Sequence, residues 1–224
     1  MNADALTRVG RQERRPLSEP NTRTPEETTA QYLLETPPGG RGINLGCGGM
    51  TFAKWLNIDV DQPHHVDIVW DLTTGLPFLP DNQFDAVFSE AFIEHVSRKA
   101  AMKIFQDCYR ALRPGGHIRV AIPDLDQLLR IYRDDEKHPE ANDAIRKEYG
   151  ALFGTSCELF NYATRAEGHS YMYNRQEIDM LFKHVGFVDV KAVEIRKSTV
   201  PLLHNRENRP ATEVSLITEG RKPG

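Results

Sequence analysis

Ile43-Asn44-Leu45-Gly46-Cys47-Gly48-Gly49 is the stretch on which the reading of this chain turns. A short apolar run ends abruptly in glycines. Gly46 and Gly48 let the backbone turn sharply and come close to a ligand, where a Cβ would clash. Upstream, Gly42 to Leu45 reads as a strand running into this loop, and Pro37-Pro38-Gly39-Gly40 breaks the chain before it. A short helix is expected to begin at Thr24-Pro25-Glu26-Glu27, with a capping Thr, Pro at the first position and acids in the first turn. Downstream, strands are expected at Leu56 to Val60, Val66 to Trp70, Phe84 to Ser89 and His117 to Ile122, the last entered through a turn at Arg113-Pro114-Gly115-Gly116. Met102, Phe105, Tyr109 and Leu112 give an apolar face to a helix from Arg98 to Leu112. Ile178, Leu181, Phe182 and Val185 do the same for a late helix between Asn174 and Gly186, which are good N- and C-caps. Strands near Val188 to Ile195 and Glu213 to Thr218 complete the series. Strands alternating with helices predict a doubly wound α/β fold around a mainly parallel, seven-stranded sheet.

The 224 residues suit one such domain with a tail. With 39% hydrophobic and 27% charged residues the chain can bury a core. A net charge of −4 argues against nucleic acid as a partner, because that binding rests on many Lys and Arg contacts to phosphate. Residues 1–24 are polar, without periodicity, and are expected to be a disordered tail ahead of a domain over residues 25–224. No apolar segment of targeting or membrane-spanning type is seen, so a cytoplasmic protein without membrane contact is expected. Cys47, Cys108 and Cys157 have no metal-ligand spacing and read as buried free thiols. Residues 125–173 break the α/β rhythm and hold Tyr132, Tyr149, Tyr162, Tyr171 and Tyr173 with Phe153 and Phe160. This segment follows the fifth strand, on the carboxyl edge where open α/β sheets bind ligands, and is read as a helical cap over the substrate.

Asp59 closes the second strand, where a carboxylate can accept from both hydroxyls of an adenosyl ribose. Asp71 follows the third strand, where an acceptor would face an adenine amino group with Leu72 against the ring. A turn role for Asp59 and a helix-capping role for Asp71 are the plain alternatives. A nicotinamide dehydrogenase would need G-x-G-x-x-G, but the third position is Thr51 and the acidic residue comes too early.

The order of these features, with Leu76-Pro77-Phe78-Leu79-Pro80-Asp81-Asn82-Gln83-Phe84-Asp85, Ile93-Glu94-His95-Val96 and Ala111-Leu112-Arg113-Pro114-Gly115-Gly116, resembles the class I S-adenosylmethionine-dependent methyltransferases of the "methyltransferase type 11" group. Trp55-Leu56-Asn57-Ile58-Asp59, Gly168-His169 and Gly186-Phe187 look most like a subgroup found in glycan and secondary-metabolite pathways. The resemblance runs from about residue 41 to 218. It implies a Rossmann-like domain that binds S-adenosyl-L-methionine through Asn44, Leu45, Gly46, Cys47 and Gly48 at the methionine part. Asp59 and Val60 would hold the ribose, Asp71 and Leu72 the adenine end, and Glu90 the methionine or ribose side. Two departures stand out: about ten residues separate Gly48 from Asp59, where the class fits a helix, and Glu90 stands where small polar residues are common.

The sulfonium already activates the methyl group, so the protein's task is to align a nucleophile, exclude water and, for a hydroxyl, help a proton leave. His95, His169 and Glu90 are the candidates for that help. No metal centre is expected, since the adjacent His64 and His65 suggest no third ligand. The expected acceptor is a small molecule or glycan hydroxyl, with an amine second, because aromatic walls suit a sugar ring or a flat metabolite. A non-catalytic cofactor-binding or scaffolding protein on the same fold is the competing reading.

Overall fold

The computed structural model describes residues 23–61, 66–134, 155–165, 168–208 and 215–224. The tail before Arg23, His64 and His65, and Tyr149 and Phe153 of the proposed cap lie outside the described residues. Helix α1 spans Pro25–Glu35 and starts in a capping box, in which Thr24 and Glu27 bond each other's backbone N–H. Its Tyr32 hydroxyl exchanges hydrogen bonds with the backbone of Gly42, and burial pushes that phenol up to about 12.

The seven strands are β1 (Gly42–Leu45), β2 (Leu56–Asp59), β3 (Ile68–Val69), β4 (Phe84–Glu90), β5 (Leu112–Pro123), β6 (Val188–Ala192) and β7 (Ser215–Arg221). They lie in the order β3-β2-β1-β4-β5-β7-β6. Strands β1 to β5 are parallel, and β7 inserts antiparallel between β5 and β6. The order reverses between β1 and β4, which opens a crevice at their carboxyl ends. The expected turn at Arg113–Gly116 instead lies within β5, as an irregularity where the register shifts between Phe84↔Leu112 and Ala86↔His117. Strand β3 is only two residues long, β6 stops at Ala192, and β7 runs on to Arg221. No helix among the described residues is long and apolar enough to cross a membrane.

One sheet face carries Ile43, Leu45, Val87, Ile118 and Val120 and is covered by α2 (Arg98–Ala111) and, through Ile178, Leu181 and Phe182, by the late helix Arg175–Val185. That late helix starts at Asn174, whose side chain accepts from Glu177 N–H, and ends at Gly186 in the left-handed region. Within the cap region, α3 (Leu125–Arg133) and α4 (Ser156–Arg165) pack on each other through Leu128, Ile131, Leu159 and Ala163; the late helix is therefore α5. Cys47 and Cys108 are buried, but Cys157 at the start of α4 is exposed, which corrects the expectation for that thiol.

The opposite face explains the short first crossover. No helix forms between β1 and β2; Phe52 and Trp55 lie directly on Ala86 and Phe88. A Cβ on Gly42 would come within 2.4 Å of the Trp55 ring, so the indole lies flat against the strand. The covering that a helix would have given comes from residues 193–208. Leu203 joins the aromatic cluster, and the Arg206 guanidinium lies 4.8 Å from the Phe52 ring and 4.7 Å from Trp55. This strap is anchored on Arg119, a fully buried residue in mid-β5. Arg119 pairs with Glu207, donates to Glu219 Oε1 at 2.7 Å, and donates to the carbonyls of Lys197 and Glu194.

Candidate active site

At the end of β1 the backbone N–H groups of Gly46 and Cys47 both donate to the Ile58 carbonyl of β2. Gly46 (φ +61°) and Gly48 (φ +50°) are left-handed, as the sharp turn demands. A Cβ at Gly46 would sit 2.2 Å from the Phe92 ring. Phe92 reaches that position because the exit from β4 is kinked at Ala91, a non-glycine residue at φ +50°. Asn44, the first residue of the expected loop motif, is buried and shapes the loop from beneath: its amide donates to Met50 O (2.8 Å) and Asn57 Oδ1 (3.1 Å). Leu45 and Cys47 are buried in the same way.

Asp59 Oδ2 accepts from Gly48 N–H at 2.7 Å, and Oδ1 from Asp61 N–H at 3.1 Å. The carboxylate therefore ties the glycine loop to the end of β2, and its remaining lone pairs leave room for a ligand. Trp70 N–H donates to the Asp59 carbonyl, which brings the end of β3 alongside. Asp71 caps a short 3-10 turn, accepting from Thr73 N–H (2.9 Å) and Thr73 Oγ1 (2.6 Å); these bonds hold its carboxyl below the usual range. The plain capping role is thus realised. Leu72 is 3% exposed and belongs to the core, whereas Val60 is 60% exposed and is the apolar side chain at this edge that a ligand can cover. Glu90 ends β4, buried, with Oε2 accepting from Asn208 N–H at the end of the strap.

His95 lies on a 3-10 turn, Ile93–His95, five residues past Glu90 and ahead of α2. His169 belongs to a distant stretch of chain, yet the two rings meet edge to face with centroids 4.7 Å apart. The backbone makes this meeting. Ser170 and Tyr171 N–H both donate to the Glu94 carbonyl (2.7 and 3.1 Å), and Leu125 N–H donates to the Tyr173 carbonyl beside the end of β5. Glu94, Tyr171 and Tyr173 thereby gather around the histidines. Glu94 is 1% exposed, and Tyr173 is fully buried, so it is a core residue and no ligand wall. Tyr171 packs on it at 4.9 Å between ring centroids, and burial pushes the Tyr173 phenol up. Tyr132 is half exposed and pairs with Phe160 on the α3–α4 unit.

Sequence reading missed Phe92, Glu94 and the Arg119 strap. A signal for the last existed: an Arg in mid-run of the apolar strand His117 to Ile122 is not tolerated without buried acids opposite it.

A 3-2-1-4-5-7-6 sheet with a glycine loop after β1 and Asp59 closing β2 has the architecture of the class I methyltransferase fold. Residues 43–120 match the family model described as "Methyltransferase domain". That match covers about a third of the chain, and the fold around it is that of the class I S-adenosylmethionine-dependent enzymes. A SAM-dependent methyltransferase from Thermotoga maritima, described as a possible histamine N-methyltransferase, is 20% identical with a TM-score of 0.51, over 88% of this chain and 89% of that one. One from Archaeoglobus fulgidus is 14% identical with a TM-score of 0.50, over 88% and 92%. These likenesses show the fold. Phosphoethanolamine N-methyltransferase 3 of Arabidopsis thaliana is 28% identical over 53% of this chain and 27% of that protein, so the match spans about a quarter of that relative's length.

Proposed function

We propose that this protein transfers the methyl group of S-adenosylmethionine to a hydroxyl of a small-molecule or glycan acceptor. The observation that carries the reading is the convergence at one sheet edge of the Gly46–Gly48 loop, Asp59 and Glu90 with the His95–His169 pair. The loop and Asp59 hold the cofactor, with Val60 covering it and Asp71 setting the turn beside the adenine end. Glu90, His95 and His169 stand on the acceptor's side, and α3 and α4 belong to the cap over it. In the transfer, an acceptor oxygen lone pair forms the new C–O bond as the S–C bond breaks. The bonding pair passes to sulfur, S-adenosylhomocysteine leaves, and the hydroxyl proton departs. Alignment supplies most of the acceleration, and the histidine pair assists the proton's loss. An amine acceptor is the second reading, favoured by the name of the Arabidopsis relative.

The cofactor half is tested by calorimetry with S-adenosylhomocysteine. Asp59→Ala removes ribose hydrogen bonds and the tie to Gly48, and should weaken binding by about 2–4 kcal/mol, or about 30- to 1,000-fold. Affinity within threefold of the parent would remove Asp59 from the site. The acceptor half is tested by screening hydroxyl and amine metabolites with labelled methyl donor and identifying the methylated atom. On the acceptor so found, His169→Asn should lower turnover by about 100-fold or more with unchanged cofactor affinity. Parental turnover per folded molecule would return His169 to a purely structural role.

A further inference from the structure

We propose that Glu94, His95 and His169 form a three-ligand site for a divalent transition-metal ion of the zinc class, placed at the carboxyl edge where the acceptor binds. The inference rests on the methyltransferase reading for its purpose but on its own geometry for its existence. The three side chains each offer one ligand atom, and these atoms all lie within 4.8 Å of one another. In a tetrahedral site with bonds of roughly 2.0–2.2 Å, ligand atoms stand roughly 3.3–3.6 Å apart, so closure needs about 1 Å of side-chain adjustment. Two imidazoles and one carboxylate are the donor set that zinc and its neighbours favour, with one position left for an outside oxygen.

The surroundings prepare the ligands. His169 Nδ1 lies 2.8 Å from the Ala163 carbonyl, which can only accept. Nδ1 therefore carries the proton, and Nε2 presents a lone pair, as a metal-binding imidazole requires. The Glu94 main chain is fixed to the His169 loop by the two hydrogen bonds from Ser170 and Tyr171, so ligands from two separated segments are held by backbone geometry. The Glu94 carboxyl is buried at 1% exposure, so a cation it ligated would be shielded from bulk water. Along the sequence nothing signals the site, because Glu94-His95 and His169 have no ligand spacing; folding alone brings them together. A cation there with a single carboxylate ligand keeps a net positive charge, which favours the deprotonated form of a hydroxyl placed beside it.

The test uses the full chain, stripped with a chelator and dialysed, then titrated with Zn²⁺ by calorimetry and with Co²⁺ by visible absorption. The expected result is one equivalent of ion with a Kd below about 1 μM and Co²⁺ bands of tetrahedral intensity. His95→Ala, His169→Ala and the near-isosteric Glu94→Gln should each weaken binding by roughly 100-fold or more, while far-ultraviolet circular dichroism stays that of the parent. No saturable binding, or equal binding by the parent and all three variants, overturns the site. If Glu94→Gln fails to fold, the two histidine variants decide. Binding of S-adenosylhomocysteine by the stripped protein is measured in parallel. If the stripped protein binds it and methylates the acceptor as fast as the metal-loaded protein, the metal's role is overturned and the methyltransferase reading stands. Loss of S-adenosylhomocysteine binding in stripped and loaded protein alike sinks the methyltransferase reading instead, whereas the metal titration still reports on the site.

Discussion

Arg119→Met is expected to destabilise the protein by about 3–5 kcal/mol, lowering the melting temperature by about 6–20 °C. The guanidinium is fully buried and stands between two carboxylates, those of Glu207 and Glu219, which are also buried. Removing it leaves both acids without their counter-charge and releases the carbonyls of Glu194 and Lys197. Met is close in volume and unbranched, so the loss reports charge and hydrogen bonding rather than a cavity. The control is the triple variant Arg119→Met, Glu207→Leu, Glu219→Met. A buried ion cluster can often be exchanged for apolar side chains at little cost, so most of the stability should return. Urea titration of the single and triple variants measures both. A single-variant loss under about 1 kcal/mol would show that the strap is held by other means.

Gly46→Val should abolish measurable cofactor binding and destabilise the fold by about 2–5 kcal/mol. The position is left-handed, where a β-branched residue is strained by about 1–2 kcal/mol, and overpacking adds about 1–3 kcal/mol. The new side chain would drive into Phe92 before it met any ligand, so the damage passes to the start of the turn that carries His95. Calorimetry with S-adenosylhomocysteine, at a temperature where circular dichroism shows the variant folded, gives the readout. Parental affinity in that folded variant would place the cofactor loop elsewhere. The pair Gly46→Val, Phe92→Ala relieves the ring clash and leaves the backbone strain. It should regain part of the lost stability.

How far the sequence revealed this protein depended on how local each feature's cause is. Helix ends were plain because Thr24, Asn174 and Gly186 act on neighbouring backbone groups. The mainly parallel, doubly wound sheet followed from the alternation of strands and helices, whereas the strand order came only from the structure. Asp59 was legible as a residue at the crevice, yet its bond to Gly48 was not, because that contact joins two strands. Leu72 misled: it borders the site in sequence, but the turn capped by Asp71 points it into the core. The Arg113–Gly116 stretch falls within β5 yet keeps its turn character: its residues loop out where the register with β4 shifts, and Gly115 is left-handed. Glu94 and His169 could not be joined from sequence at all, because the link is two backbone hydrogen bonds across the fold.

The strap that stands in for a first crossover helix also orders events in time. On the ribosome the glycine loop, Phe52, Trp55 and β4 emerge well before Leu203, Arg206 and Glu207. Until then one face of the half-built sheet shows its aromatic cluster to solvent, and Arg119 waits without Glu207. Such long-range closure slows folding, because the chain between the partners must be ordered before their contact rewards it. A ribosome stalled before residue 194 therefore carries the glycine loop without its backing, and the sheet's second face closes only after residues 194–208 have emerged.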